Sequence, residues 1–364
     1  MKKLFLFFYL SVVSIAAFAA EQFVIFTPAG NHFPLVANGV PCPIYIDSSE
    51  DKGVMIAAGN LQQDILQVCG KKPELLTSTS SKRCIIAGTY GTPFIKKLMS
   101  AGKIDKKELD GKNEKYILQV TANPCEGIDE AVVIIGSDRR GTIYGIYELS
   151  EQMGVSPWYF WGDAPVKTRE NFTLEEGFIK WDYPSVEYRG IFINDEEELE
   201  AWVKNRMGEE TIGVKTYEKI FELLLRLKGN YIWPAMHVNS FNVKQENGAL
   251  AERMGMVVGT SHCDMLMRSN NREWKPWLEK KGYQNVEYDY SLSGRNREIL
   301  QEYWRESVEQ NREFEVSYTL GMRGIHDSGF ETRALEGLSG EELKQEKIKL
   351  LQQVMEDQRQ ILQD

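Results

Sequence analysis

The sequence predicts an α/β protein in two parts: an N-terminal α/β domain, then the first half, about four βα units, of a TIM-type (β/α)₈ barrel. Three observations point there. Short apolar runs of strand length alternate with helical stripes through the first part of the chain. From Glu187 onward the pattern becomes repeated strand-plus-helix pairs. Polar residues able to do chemistry stand at the end of every strand in that second part, where barrel enzymes carry their sites. The length of 364 residues suits two globular units. With 42% hydrophobic and 26% charged residues, the composition is that of an ordinary folded chain, not of a disordered or collagen-like one. A formal net charge of −10 argues against a nucleic-acid partner, because phosphate contacts need a basic face.

The first elements follow from local pattern. Val24-Ile25-Phe26 and Pro43-Ile44-Tyr45-Ile46 read as short strands. From Val54 to Cys69, Ile56, Leu61, Ile65 and Val68 recur at helical spacing. Cys84–Gly88, Lys115–Val120 and Ala131–Gly136 read as buried strands. The turn Gly136-Ser137-Asp138-Arg139-Arg140-Gly141 leads into a helix from Thr142 to Met153; it has neither the GxGxxG spacing nor the Walker lysine, so a structural turn is favoured over a phosphate loop. Pro157 to Lys180 shows no periodicity and reads as a connector.

In the second part, Tyr188–Ile193 is an apolar strand. A helix with a strong stripe follows, Thr216 to Lys228, broken by Gly229. Asn230–Pro234 is the second strand, Gln245–Met254 its helix and Met256–Thr260 the third strand. After a long connection come a helix near Asn296–Glu309, a fourth strand Phe314–Leu320 and a charged amphipathic helix Gly340–Gln363. The expected division is 1–19, 20–170 and 171–364. The first of these reads as a signal peptide: Met1-Lys2-Lys3 precedes an apolar run from Leu4 to Ala20, and Ala17-Phe18-Ala19 gives the small-x-small cleavage pattern. A secreted or periplasmic protein is therefore expected, with no membrane span once the signal is cut. Export permits disulfides, yet the five cysteines include no CxxC pair, and mostly free, buried thiols are expected.

The strand ends carry the functional signal. Strand one ends in Asn194-Asp195-Glu196, and strand two runs into Trp233-Pro234-Ala235-Met236-His237. Strand three ends in Thr260-Ser261-His262-Cys263-Asp264 and strand four in Gly321-Met322-Arg323-Gly324-Ile325-His326-Asp327. Three of the four histidines fall on these ends. Each residue also has a plain structural use. Asp195 can cap the next segment, and Glu196, Glu197, Glu198 and Glu200 can form a solvated face. His262 can be a hydrogen-bonded structural residue, Arg323 can pair with Asp327, and Trp233 can be core. No HxH or HExxH spacing supports a metal, and no cofactor motif is present. As a set, two Asp, a His, an Arg and a Trp suit glycoside chemistry. One carboxyl group protonates the leaving oxygen, another activates water or attacks carbon, Arg clamps a sugar carboxylate, and Trp offers a flat apolar face.

Tyr188–Glu196, Asn230–Met236, Gly259–His262 and Thr319–Gly324 together resemble glycoside hydrolase family 115, in order and at compatible spacing. Ile135–Gly145 resembles the N-terminal α/β domain that this family shares with hexosaminidase-like exo-glycosidases. The resemblance implies an α-glucuronidase that removes glucuronic or 4-O-methylglucuronic acid from xylan side chains with inversion, acting on glucuronoxylan without a cofactor. It implies Asp327 as a catalytic carboxylate or a water-orienting group, Asp195 as the second catalytic carboxylate or a substrate ligand, Arg323 as a substrate-binding residue or the group that fixes Asp327, and Asn194, Trp233 and His262 as substrate-binding residues. Two departures bear on specificity: Cys263-Asp264-Met265-Leu266 after His262, and Ile325-His326 before Asp327. Family members continue past a fourth unit, so the resemblance also implies an N-terminal part of a longer enzyme, with a general-acid Glu expected beyond Asp364. The alternatives are an inactive truncated product, a carbohydrate-binding remnant, or another exo-glycosidase sharing the first domain.

Overall fold

A computed structural model describes residues 22–27, 30, 32–78, 81–194, 196–237, 239–324 and 328–364. The expected signal peptide lies outside the described residues. In chain order the first part contains β1 (His32–Ala37), β2 (Val40–Pro41), β3 (Ile44–Ile46), α1 (Lys52–Cys69), β4 (Leu75–Leu76), β5 (Arg83–Thr89), α2 (Pro93–Ser100), β6 (Tyr116–Cys125), β7 (Ile128–Gly136), α3 (Arg139–Gln152), β8 (Phe172–Glu175) and β9 (Ile179–Asp182). Six strands form a mixed sheet in the order β4-β3-β5-β7-β6-β9, and β2-β1-β8 form a small antiparallel one.

The period-2 alternation of the buried strands explains the layers. Ile85, Ala87, Leu118, Val132 and Ile134 point to the core that holds α1 and α3. Their neighbours Cys84, Ile86, Ile117, Val133 and Ile135 point to a second core with Ile95, Leu98 and Met99 of α2. Helix α3 is buried from Gly141 to Ser150, because the sheet lies on one side and the second part of the chain on the other. Its N-terminus is closed by Asp138, whose carboxylate accepts from the Gly141 amide at 2.9 Å and the Glu114 amide at 2.6 Å. The Gly136–Gly141 segment is thus a strand-to-helix turn capped by its own Asp138.

Two differences from the sequence reading stand out here. The stretch read as a connector contains β8 and β9, and β9 pairs antiparallel with β6 through Tyr116↔Asp182 and Ile117↔Trp181. It is an edge strand with one partner, and its Ile179 and Trp181 stay exposed, so no buried stripe marks it. Ile25, for its part, makes only an isolated bridge to Thr173.

The second part contains β10 (Gly190–Phe192), α4 (Glu197–Arg206), α5 (Val214–Arg226), β11 (Tyr231–Trp233), α6 (Gln245–Met254), β12 (Val257–Val258), α7 (Trp274–Lys281), α8 (Arg295–Gln310) and α9 (Gly340–Gln363). Strands β10, β11 and β12 are parallel and adjacent in sequence order, as consecutive barrel strands must be. The fourth expected strand is reduced to a single parallel bridge, Val258↔Val316, flanked by Ser317 N–H to Val258 O at 2.9 Å. Among the described residues that segment has a sheet neighbour on one side only, which leaves half of its ladder unformed.

Both parts share one continuous apolar core, to which α1 and α3 contribute alongside Tyr217, Phe221 and Leu224 of α5. Across it, Arg226 of α5 forms a two-pronged ion pair with Asp64 of α1, at 2.9 and 3.0 Å, with all three of Asp64, Glu222 and Arg226 buried. Attraction from Asp64 and Glu222 holds the guanidinium charged despite its burial. At the N-terminal end of the barrel strands, Glu114, Arg189, Asn230 and Tyr144 are linked by hydrogen bonds, and Glu114 and Asn230 line a cleft of about 430 Å³. Polar groups at that end of a barrel serve stability. The opposite end is where chemistry is expected.

Candidate active site

The inner face of the parallel sheet is built around Tyr231. Its partner across β10 is Gly190, and Trp233 pairs with Phe192. The odd residues of β11 face inward, whereas Ile232 points outward and is fully buried against the helices. Tyr231 reaches over β12: its hydroxyl lies 2.5 Å from Ser317 Oγ on the fourth segment. That reach requires glycine at 259, since a Cβ there would come within 2.0 Å of the Tyr231 hydroxyl. The Trp233 indole N–H donates to the same hydroxyl at 2.9 Å, and its ring meets Phe192 edge-on with centroids 5.6 Å apart. Trp233 is therefore a half-exposed ring in a fixed orientation on the inner face, not a core residue.

The strand exits are tied to one another. Ile193 N–H donates to Trp233 O at 2.9 Å. His237 Nδ1, after β11, lies 2.8 Å from Glu197 Oε1 at the start of α4. Thr319 Oγ1 donates to Thr260 O at 2.7 Å, and Thr260 Oγ1 donates to Asp264 O at 2.7 Å. Four of the sequence-derived candidates stand at this end. Asn194 and His262 are exposed, and Trp233 and Arg323 are half-buried. The two expected catalytic carboxylates, Asp195 and Asp327, lie outside the described residues. On either side of Asp327, Gly324 N–H donates to Ser328 O at 3.3 Å.

Several residues have roles here that the sequence reading did not give them. Glu196, read as part of a solvated acidic run, is 1% exposed, and Asn239 N–H donates to its Oε1 at 3.3 Å. Asp264 is also buried; burial above all, with Glu273 and then Glu196 adding negative charge, pushes its carboxyl group up to about 8. At neutral pH it is a neutral acid beneath the exit of β12. Glu273 itself is buried and takes Arg268 Nη1 at 3.0 Å and Ser240 Oγ at 2.7 Å. Gln358 of α9 is fully buried and holds Gly321 from both sides, accepting its N–H at 2.7 Å and donating to its carbonyl at 2.8 Å. The sequence did carry a signal for it. Val354, Gln358 and Ile361 share one buried stripe of α9, and a glutamine on such a stripe must have polar work to do. Among the described residues, no group of three or more His, Cys, Asp or Glu side chains could hold a metal ion.

An α/β unit leading into parallel strands, with acidic, basic and aromatic side chains at their C-terminal ends, is the arrangement on which barrel enzymes build their sites. Residues 181–364 match the glycosyl hydrolase family 115 profile, and residues 37–149 match the N-terminal domain of glycosyl hydrolase family 67. A solved structure described as a family GH115 4-O-methyl-α-glucuronidase with specificity for decorated arabinogalactans is 34% identical, with a TM-score of 0.75. That match covers 91% of this chain and 40% of the other. The chain belongs to glycosyl hydrolase family 115. A family GH20 exo-β-N-acetylglucosaminidase from Vibrio harveyi is 12% identical over 93% of this chain and 52% of its own, with a TM-score of 0.47. No curated protein matches the chain. The chain thus spans 40% of the length of its 34%-identical relative. Among the described residues, no helix is long and apolar enough to cross a membrane.

Proposed function

We propose that this chain contributes to an α-glucuronidase that releases glucuronic or 4-O-methylglucuronic acid from polysaccharide side chains by inversion. Membership of family 115, extending over residues 181–364, is the observation that carries this reading. Asp327 and Asp195 are the candidate catalytic carboxylates. In an inverting mechanism the general acid and the general base stand about 6.5–9.5 Å apart, which leaves room for the attacking water. Arg323 supplies the planar, permanently charged fork that matches a uronate carboxylate. Trp233 offers a ring face to the pyranose, held by its bond to Tyr231 and its edge contact with Phe192. Asn194 and His262 are the proposed partners of sugar hydroxyls, and their exposure at the first and third strand exits supports this. The neutral state of Asp264 keeps one negative charge away from a site that must accept an anion. The N-terminal Lys2-Lys3 and apolar run direct the protein to the periplasm or the cell exterior, where such glycans are found.

Glucuronoxylan is the substrate the sequence motifs suggest. Decorated arabinogalactan is the second candidate, because the 34%-identical relative is described with that specificity. Incubation of the full-length chain with each polysaccharide, followed by anion-exchange chromatography of the free uronic acid, tests the reading. Release from at least one is expected, with D327N and D195N each lowering it by about 10²-fold or more. No release from either, under conditions where another α-glucuronidase works, overturns the assignment.

A further inference from the structure

We propose that Asn270 is a positioning residue that sets Arg323 for the uronate carboxylate; this rests on the reading of the barrel end as a uronate site. Asn270 belongs to the loop between β12 and α7 and is 3% exposed. Its side-chain amide donates to Arg323 O at 3.1 Å and to Gly324 O at 3.0 Å. Both donors are therefore spent on the backbone of the fourth strand exit. Its Oδ1 is buried without a hydrogen-bond partner. Leaving a buried acceptor bare costs about 1–3 kcal/mol. An amide that carries this cost while satisfying both donors on one backbone segment is held there for the donors.

The loop that brings Asn270 to this place is itself strained. Leu266 and Met267 take positive φ, +49° and +60°, although neither is glycine. Such conformations persist only where surrounding structure fixes them, and they gather at functional sites. Here the fixing contacts are visible. Leu266 N–H donates to Thr319 O at 3.0 Å, and Met267 O accepts from Asn242 Nδ2 at 2.8 Å. The strained turn lays the third exit across the fourth. Asn270 then grips the carbonyls of Arg323 and Gly324 from this side, while Gln358 grips Gly321 from α9. The Arg323 backbone is thus bracketed by two buried amides on independent elements, and Gly324 N–H next to it donates to Ser328 O. A guanidinium can meet a carboxylate with two parallel bonds only if its stem is fixed to within a fraction of an ångström.

Titration calorimetry with sodium D-glucuronate and, separately, D-glucose tests this in the full-length chain. N270L keeps the number and branching of the side-chain heavy atoms, though it is bulkier, and removes both donors without adding charge; N270A leaves space for a replacing water and serves if N270L does not melt cooperatively. The wild type is expected to bind glucuronate at least tenfold more tightly than glucose. N270L should lose most of that ratio, with glucose affinity changed less than twofold, and N270A should lose part of it. A merely structural role lowers both affinities together or neither, and either result overturns the positioning role. A wild type with no preference for the carboxylate overturns the uronate-site reading itself, and the role of Asn270 with it.

Discussion

Asp264 shows how one residue's surroundings change its chemistry. Its carboxyl group, ordinarily near 3.8, is pushed up to about 8 by burial and by the charges of Glu273 and Glu196. Between those values the folded chain holds a proton that the unfolded chain gives up. Its contribution to stability is therefore full only below 3.8 and declines steadily as pH rises from there toward 8. In D264N the side chain stays neutral at every pH. Its melting temperature relative to wild type should climb by several degrees between pH 5 and pH 8, and a gap that does not change with pH would contradict the buried neutral acid. Glu196 teaches a related point. It begins an acidic run whose other members meet solvent, yet it occupies the cap position of α4 and points inward. Composition describes the run, but only the geometry of the helix start separates its first member from the rest.

Among elements, legibility followed burial. Helices α5, α6, α8 and α9 carry apolar stripes and were read to within a residue or two at most ends. Helix α4 buries only Val203 fully, so it offered no stripe to read. In α7 a proline stands in the first turn, where helices tolerate it, but in the sequence Trp274-Lys275-Pro276-Trp277 looks like a break. The barrel strands were found as runs longer than the two or three residues that pair, because hydrogen-bonded length depends on neighbours remote in sequence. The Tyr231–Gly259–Ser317 crossing tests the inner face as a unit. G259A forces a methyl group into the Tyr231 hydroxyl and should cost about 1–3 kcal/mol in denaturant unfolding. Y231F gives up the Ser317 bond and should cost about 1 kcal/mol. Because both act on one contact, the double variant should lose less than the sum. Strict additivity would show that Tyr231 does not cross β12.

On the scale of the whole molecule, the first α/β unit and the barrel strands form one body, joined by a common core and by the buried Asp64–Arg226 pair. This continuity was not legible in the sequence, since the partners come from helices 162 positions apart. The order of the strands and the side on which their polar ends gather were legible, because each barrel motif pairs an apolar run with its own polar terminus. The residues that brace those termini, Asn270 and Gln358, were not singled out, for their partners are backbone atoms of remote segments. The central claim is an inverting α-glucuronidase acting at the C-terminal end of these strands, and proton NMR of the first-formed sugar tests it most directly. The full-length chain, mixed with glucuronoxylan or decorated arabinogalactan, should release (4-O-methyl)glucuronic acid first as the β-anomer. Initial release of the α-anomer, or no uronic acid from either polysaccharide, would contradict it.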